Sequence, residues 1–265
     1  MSQWPEGLPP RSELVTFAER CADAARAIVI PRYRARVPVD YKSDASPVTE
    51  VDRAVETRIR ELVRETYPNH SVIGEEYGAD ERPGALCWII DPIDGTKSFV
   101  TGRPLFGTLL GLLCNGVPVM GVLDAPVLGE RWIGASGAPT TLNGARVSAC
   151  VKTRLPESNL SATSVDMFDD VERVRFDALG KEVKFRVFGG DCYAYGLLAS
   201  GHIDIVVEAS MNPYDYLPLV PIVNGAGGVV SDWCGEPLSL ASKSGRVLAA
   251  GSATLHHACV GILGD

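Results

Sequence analysis

The sequence predicts a layered α/β fold of the α+β kind, and two observations support it. Segments with helical periodicity alternate with short apolar runs along the chain, which is the pattern of helices packed on sheets. Of the 265 residues 46% are hydrophobic, and no linker, low-complexity stretch or fixed repeat divides the chain. We therefore expect a single domain over residues 1–265, with possible subdomains at about 1–145 and 146–265.

The first quarter of the chain predicts two amphipathic helices. Apolar residues recur at steps of three and four between Leu14 and Ile28, and Pro31 should end that helix nearby. A second apolar stripe runs between Val48 and Leu62, with charged residues between its apolar positions. These charged residues are Glu50, Arg53, Glu56, Arg60 and Glu61. We expect them to form the polar side of the second helix.

Short apolar runs bounded by turn residues predict strands from Cys87 onward. The runs are CWII, GTLLGLLC, VPVMGVL and the segment around RWIG. Asn115-Gly116 separates two of them and suits a type I′ hairpin, because both central residues of that turn need a positive φ. Residues 150–188 predict a helix followed by a strand.

Helices and strands alternate again in the last third of the chain. DCYAYGLLASG predicts a helix, HIDIVVEA a buried strand, YDYLPLVPIVNGAGG a helix ending at glycines, and VVSDW a strand. Pro218 and Pro221 fit the second of these helices only in or near its first turn.

Composition narrows the class of partner and the location. A net charge of −8 argues against a broad basic surface for nucleic acid, so we expect a small-molecule partner. The seven cysteines are scattered and form no C-x-x-C pair, which predicts reduced, mostly buried thiols. No basic stretch leads into an apolar region at the N-terminus, and no segment approaches the ~20 apolar residues of a membrane span. We expect a cytoplasmic protein that does not enter a membrane.

The segment WIIDPIDGT carries the first chemical signal. Its apolar run ends at Asp91, so a buried strand should present that carboxylate at its carboxyl end, where open α/β sheets bind ligands. The tight turn that follows can direct Asp91, Asp94 and the carbonyl of Ile93 to one point. Oxygen-only ligands suit Mg²⁺ rather than zinc. The alternative is that Asp91-Pro92 is a plain turn and Asp94 caps a helix.

Three further residues, one beside this motif and two distant from it, are candidates for the same metal and phosphate site. Thr96 follows the turn, and GTKSF can begin a helix whose first N–H groups bind a phosphate oxygen. Glu75 follows the apolar run SVI, and Asp215 lies at the predicted start of a helix. Taken alone, Glu75 fits a solvated turn and Asp215 fits an acid at a helix start.

The order GEE, then WIIDPIDGT, then an aspartate shortly before a helix ending GAGG resembles the inositol monophosphatase superfamily of Mg²⁺-dependent, lithium-sensitive phosphatases. The resemblance extends from about Lys42 to about Gly228. It implies the layered αβαβα sandwich of that family, two or three Mg²⁺ ions, a small phosphate ester as substrate, and a homodimer.

The resemblance also implies a set of metal ligands. In the family, metal is bound by the first glutamate of GEE, both aspartates of DPxDG, the carbonyl between them and the late aspartate. In this sequence the ligands are Glu75, Asp91, Ile93, Asp94 and Asp215.

Other residues match the reaction of the family. A metal-activated water attacks phosphorus in line, and Glu75 with Thr96 would orient and deprotonate it. Gly95 and Thr96 would offer backbone N–H groups to the phosphate. Asp52 in VTEVD and Lys42 match an early aspartate and a nearby lysine of the family, and they complete the candidate catalytic set.

The leaving-group end resembles histidinol-phosphate phosphatases of the superfamily in G-D-C-Y-A-Y, in the strand ending V-V-E and in P-Y-D-Y-L-P-L-V-P. A substrate with an ammonium and an imidazole favours carboxylates at the pocket wall, which here are Asp191 and Glu208 beside Asp215. Glu208 would equally accept from an inositol hydroxyl, and Asp191 equally fits a helix N-cap after Gly189-Gly190.

Histidinol phosphate is therefore the first hypothesis, and an inositol or sugar phosphate is the alternative. A non-catalytic metal- or phosphate-binding protein is a third hypothesis, and Thr96 argues against it because it stands where a water must be activated. A purely structural role is least favoured, since converging carboxylates without a cation would repel each other.

Overall fold

The computed structural model describes residues 3–36, 38–41 and 47–264, apart from the side chain of Tyr41. The predicted catalytic Lys42 lies outside these residues. The α-helices in the described part of the chain are α1 Arg11–Val29, α2 Glu50–Thr66, α3 Thr96–Val100, α4 Asp170–Glu182, α5 Tyr193–Ala199, α6 Pro213–Tyr216, α7 Leu219–Gly225 and α8 Ala253–Leu263. The strands are β1 Val39–Tyr41, β2 Pro47–Thr49, β3 Ser71–Gly74, β4 Gly78–Asp80, β5 Leu86–Asp94, β6 Gly107–Cys114, β7 Val117–Ala125, β8 Glu130–Ala135, β9 Thr141–Leu142, β10 Ala145–Arg146, β11 Asn159–Ala162, β12 Phe185–Phe188, β13 Ile205–Glu208, β14 Val229–Ser231 and β15 Val247–Ala250.

These strands form one small ribbon and two larger sheets. β1 and β2 pair as the antiparallel ribbon. The eight-stranded sheet has the order β10-β9-β8-β7-β6-β5-β3-β4, and only β3 and β5 are parallel in it. The five-stranded sheet has the order β12-β11-β13-β15-β14, in which β12, β11 and β13 are parallel. Along the chain, the eight-stranded sheet ends at Arg146 and the five-stranded sheet begins at Asn159. The predicted subdomain limit near residue 145 stays a prediction.

The structure has five layers packed around three apolar cores. α1 and α2 cover one face of the eight-stranded sheet, where Trp88 and Ile90 of β5 enter the first core. Ile89 lies between them in sequence and faces the second core, because side chains alternate along a strand. The second core lies between the sheets and includes α5 and α7, while α4 and α8 cover the outer face of the five-stranded sheet. This order confirms the predicted αβαβα sandwich.

The start of α2 is fixed by a reciprocal cap. Thr49 Oγ1 accepts from the backbone N of Val51 at 3.1 Å, and Asp52 Oδ2 accepts from the backbone N of Thr49 at 2.8 Å. Because the cap holds Thr49 in an extended conformation, the helix cannot begin before it. Val48, which the sequence predicts in this helix, therefore lies in β2.

β5 continues through the acidic motif instead of ending at Asp91 as the sequence predicts. Asp91 pairs with Leu109 and Asp94 pairs with Gly107, so the β5 strand holds one residue more than β6 between these two pairs. Side chains three residues apart would face opposite sides of a regular strand. The bulge removes that alternation, and it allows Asp91 and Asp94 to approach one site.

A row of three glycines brings the segment around α6 and α7 close to the eight-stranded sheet. Gly111, Gly121 and Gly134 are register partners on β6, β7 and β8. A Cβ atom at Gly121 would overlap the carbonyl oxygen of Pro218, and one at Gly134 would overlap the backbone of α7. The three glycines therefore allow Pro218 to lie directly against the sheet. Asp215 precedes Pro218 by three residues, so the same close approach helps to place Asp215.

Gly121→Ala is expected to lower the free energy of unfolding by about 1–3 kcal/mol, because the added methyl group must displace backbone rather than a flexible side chain. The matched control is Gly261→Ala in α8, where a Cβ meets nothing within 4 Å and alanine suits a helix better than glycine. Urea unfolding of both variants measures the difference. Unchanged stability of Gly121→Ala would contradict the close approach.

Other predicted elements are present with altered boundaries. Asn115 and Gly116 join β6 to β7 with φ values of 50° and 78°, both positive as the predicted hairpin requires. The helix predicted through YDYLPLVPIVNGAGG is divided into α6 and α7, because Pro218 precedes α7 and Pro221 lies in its first turn. β15 and α8 lie in segments where the sequence patterns predict no element, and β11 is an additional strand before the helix and strand predicted within residues 150–188.

Among the described residues, none of the helices combines the length and apolar character that a membrane crossing requires. The seven cysteines are all unpaired thiols, which confirms the prediction of reduced cysteines. They are less buried than expected, since only Cys21, Cys192 and Cys259 are fully enclosed.

Candidate active site

Carboxylates from distant parts of the chain meet in one cavity of about 140 Å³. Asp91 and Asp94 come from β5, and Asp215 comes from α6. One carboxylate oxygen of each lies within 4.8 Å of those of the other two. Glu75, directly after β3, lines the same cavity. All residues that the sequence assigned to metal or substrate line this cavity, including the carbonyl-bearing Ile93.

The turn from Asp91 to Thr96 is held by its own hydrogen bonds. The backbone N of Ile93 donates to Asp91 Oδ1 at 3.1 Å, and the Thr96 hydroxyl donates to the carbonyl oxygen of Ile93 at 3.1 Å. The plain-turn alternative is wrong for Asp91-Pro92, because both residues belong to β5 and Asp91 only accepts a local hydrogen bond there. It is also wrong for Asp94, because α3 begins after Gly95 without a side-chain cap.

Asp94 instead reaches across to the second half of the chain. Its Oδ2 accepts from the backbone N of Cys192 at 2.5 Å, at the start of α5. Gly95 has a φ of 89°, and a Cβ there would lie 3.0 Å from the carboxyl carbon of Asp191. Glycine is needed here for both the left-handed backbone and the space. The acidic turn and Asp191 therefore lie side by side.

Asp215 lies in the first turn of α6 and is also a member of the carboxylate cluster. Its Oδ2 accepts from the backbone N of Asn212 at 2.7 Å, so it is also the helix-start acid of the simpler explanation. Burial raises the pKa of Asp215 to about 7, and the negative charge of Glu75 adds to the rise. A capping acid exposed to solvent would not show such a shift.

The whole cluster resists ionisation. Burial raises the pKa of Asp91 well above its usual range, and the charge of Glu75 raises it further. Burial does the same for the pKa of Asp94, with Asp191 as the next contributor. A cation would offset both the burial and the mutual repulsion, and the oxygen-only donor set suits a hard divalent ion. The residues present therefore fit a metal site.

Asp52 lies apart from the cavity wall. It is buried, and its Oδ2 accepts from the backbone N and the hydroxyl of Thr49. Its other oxygen, Oδ1, has no hydrogen-bond partner among the residues that the structure describes. Burial raises the pKa of Asp52 to about 6. The structure assigns it the cap of α2, and the catalytic role stays a prediction.

Asp191 does not cap α5, so the N-cap alternative is wrong. Its backbone is left-handed, with φ 44°, and its Oδ2 accepts from Ser98 Oγ of α3 at 2.9 Å. Burial raises the pKa of Asp191, whereas the Ser98 hydrogen bond and the charges of Arg103 and Lys97 oppose that rise. These three neighbours favour the ionised carboxylate.

Glu208 is buried at the end of β13 and lines the same cavity. Its carboxylate accepts from the backbone N of Thr163 at 3.1 Å and from the Tyr195 hydroxyl at 2.9 Å. Burial raises the pKa of Glu208 to about 7. Thr163 and Tyr195 also line the cavity. Sequence patterns carry no signal for Thr163, because its partner lies 45 residues away.

Glu56 and Arg60 of α2 were assigned to a polar side, but the structure buries them, with 0% and 6% exposure. Glu56 Oε1 accepts from Arg60 Nε at 2.8 Å, and the same carboxylate accepts from the backbone N of Glu76 and Tyr77. Their face of the helix meets the turn after β3. The available signal was the spacing of Asp52, Glu56 and Arg60, which are four residues apart and share one face.

Known proteins resemble this chain over most of its length. It is 40% identical over 256 residues to bifunctional phosphatase IMPL2, chloroplastic, of Arabidopsis thaliana, covering 92% of this chain and 74% of that protein. It is 38% identical over 215 residues to a histidinol-phosphatase of Mycobacterium tuberculosis, covering 78% and 82%. The structure of an inositol monophosphatase from Zymomonas mobilis matches with a TM-score of 0.88 at 38% identity, covering 97% and 99%.

The five-layer fold, the cluster of carboxylates from distant segments and the similarity to these phosphatases together identify the chain as a phosphatase, and hence as a hydrolase. More narrowly, the chain belongs to the inositol monophosphatase family, whose model matches residues 11–263. Members of this family generally depend on metal ions, and the acidic cluster fits that dependence.

Proposed function

We propose that this chain hydrolyses L-histidinol phosphate to L-histidinol and phosphate, as a step of histidine biosynthesis, with Mg²⁺ as its metal. The observation that carries the proposal is a second pair of carboxylates, Asp191 and Glu208, that lines the cavity holding the aspartate cluster. An ammonium group beside the phosphate ester would be stabilised by these carboxylates. The relative named histidinol-phosphatase supports the same substrate.

The metal would be held by oxygen ligands alone. These are the carboxylates of Glu75, Asp91, Asp94 and Asp215 and the carbonyl of Ile93, for two or three Mg²⁺ ions. When bound, Mg²⁺ neutralises phosphate charge and makes a nearby water more acidic.

The residues of the chain would position the reactants around that metal site. Glu75 and Thr96 border one cavity, and we assign to them the water that attacks phosphorus in line. The Thr96 hydroxyl donates a hydrogen bond to the Ile93 carbonyl oxygen, so the hydroxyl oxygen of Thr96 can accept a hydrogen bond from that water. Glu75 would take the other proton of the water. The backbone N–H groups of Gly95 and Thr96 would bind a phosphate oxygen.

An inositol or sugar phosphate is the second candidate. Glu208 is a hydrogen-bond acceptor that suits a ring hydroxyl as well as an ammonium. The inositol monophosphatase from Zymomonas mobilis supports this candidate at the same 38% identity as the histidinol-phosphatase. The two substrates therefore have to be separated by a residue that recognises charge.

The first test compares kcat/KM for L-histidinol phosphate and inositol 1-phosphate at one saturating Mg²⁺ concentration. We expect a clear preference for histidinol phosphate, and a preference for the inositol ester would overturn the proposed substrate. A homodimer and a cytoplasmic location belong to the same proposal and are tested by sedimentation and by cell fractionation.

Asp191→Asn should separate the two substrates further. The amide keeps an oxygen for Ser98 but loses the negative charge, so kcat/KM for histidinol phosphate should fall about 10- to 100-fold. Inositol 1-phosphate carries no ammonium, and its kcat/KM should change much less. Equal losses for both substrates would show that Asp191 supports the site instead of recognising charge.

A further inference from the structure

The turn that carries Glu75 is held from α2. Glu56 Oε2 accepts from the backbone N of Glu76 at 2.7 Å, and Oε1 accepts from the backbone N of Tyr77 at 3.2 Å. These are the two residues that follow Glu75. The Glu56 side chain is fully buried, so both hydrogen bonds are shielded from water.

Arg60 and Gly74 complete the contact between helix and turn. Arg60 Nε donates to Glu56 Oε1 at 2.8 Å, and its Nη2 donates to the carbonyl oxygen of Gly78. A Cβ at Gly74 would overlap the Glu56 carboxylate, so the residue before Glu75 lies directly against that group. One buried ion pair therefore contacts the residue before Glu75 and the three residues after it.

We infer that Glu56 and Arg60 are positioning residues that hold Glu75 at the metal site, an inference that rests on the proposed role of Glu75 as a ligand. Neither residue borders the active-site cavity, so they act through the turn and not on the substrate. The buried carboxylate gains its partners only when the turn is in place, because a buried charge without hydrogen bonds is costly. The conformation of the turn and the burial of Glu56 therefore depend on each other.

Glu56→Gln tests this inference. The amide group would place an N–H donor against backbone N–H donors, so the turn should loosen while the helix remains. We expect the Mg²⁺ affinity, measured by calorimetry without substrate, to fall about 10- to 100-fold. The Mg²⁺ concentration for half-maximal activity should rise in parallel, whereas kcat at saturating Mg²⁺ and KM for the ester should stay close to those of the unmodified protein.

Glu61→Gln is the matched control, because Glu61 lies on the same helix in an exposed pair with Arg58. It should leave Mg²⁺ affinity unchanged. Hydrogen exchange adds a direct readout, since the amides of Glu76 and Tyr77 should exchange faster in Glu56→Gln and not in the control. If Glu56→Gln does not fold, Arg60→Lys serves instead, because lysine keeps the charge but lacks the planar fork with which Arg60 bonds Glu56 and Gly78 through two different nitrogens.

Glu75→Gln distinguishes a failure of the proposed ligand role of Glu75 from a failure of the positioning role inferred for Glu56 and Arg60. If Glu75→Gln leaves Mg²⁺ affinity unchanged, the proposed role of Glu75 is wrong. If Glu75→Gln weakens Mg²⁺ binding but Glu56→Gln or Arg60→Lys lowers only the melting temperature, the ion pair is merely structural and the inference is overturned.

Discussion

Asp94→Asn is expected to lower Mg²⁺-dependent phosphatase activity by about a thousandfold while it stabilises the protein in EDTA. The loss corresponds to about 4 kcal/mol of the stabilisation that a metal supplies to the transition state. The fold should survive, because the asparagine oxygen can still accept from the backbone N of Cys192.

The gain in stability follows from the raised pKa of Asp94. Burial holds that pKa well above the value in an unfolded chain, so stability is lost as the pH rises through the folded pKa and the carboxylate ionises. Asparagine stays neutral and avoids this loss. Opposite signs for activity and stability are typical of a group kept for function.

The measurements are kcat/KM with Mg²⁺ and urea unfolding in EDTA at pH 8. Asp23→Asn is the control, because Asp23 is an exposed residue of α1 whose loss removes only an ion pair with Arg131. Full Mg²⁺-dependent activity of Asp94→Asn would refute the metal site. Lower stability in EDTA would mean that Asp94 is a structural residue.

The carboxylate cluster could be predicted from the sequence because its residues belong to short motifs. Asp91, Ile93 and Asp94 lie within four residues, and Glu75 belongs to the GEE motif. What the motif does not predict is the bulge in β5, since it depends on pairing with β6. Strand alternation alone would have placed Asp91 and Asp94 on opposite faces.

The errors have a common physical cause. Helical periodicity separates polar from apolar residues, and it places a charged residue outside unless a partner is known. Glu56 and Arg60 find their partners in a turn about 20 residues later, so only the tertiary structure shows that they are buried. In the same way, Asp191 has the spacing of an N-cap, but Gly95 from another loop leaves space for it to turn towards Ser98.

Mg²⁺ is expected to offset part of the loss of stability that rising pH causes between about pH 4 and pH 7. The pKa of Asp215 is raised from 3.8 to about 7, chiefly by burial. In that window the folded state binds more protons than the unfolded state, so stability in EDTA should fall as the pH rises. Burial raises the pKa of Glu208 to about 7 as well, which acts in the same direction.

Mg²⁺ competes with protons for the aspartates and should bind more tightly as the pH rises. At a Mg²⁺ concentration 100 times the dissociation constant the stabilisation is about 2.7 kcal/mol, or about 5–10 °C in melting temperature for a chain of this size. Melting curves with Mg²⁺ and with EDTA at pH 4.5, 6 and 8 measure the difference. It should be near zero at pH 4.5 and largest at pH 8.

Asp215→Asn separates the contribution of the cluster from that of Glu208. The variant should lose most of the Mg²⁺-induced rise in melting temperature, and its stability in EDTA should depend less on pH because one of the titrating groups is gone. The remaining slope belongs to Glu208 and to the other buried carboxylates. A rise induced by Mg²⁺ that is equal at all three pH values would mean that the ion binds elsewhere, since ligands with raised pKa values cannot bind it equally well when protonated.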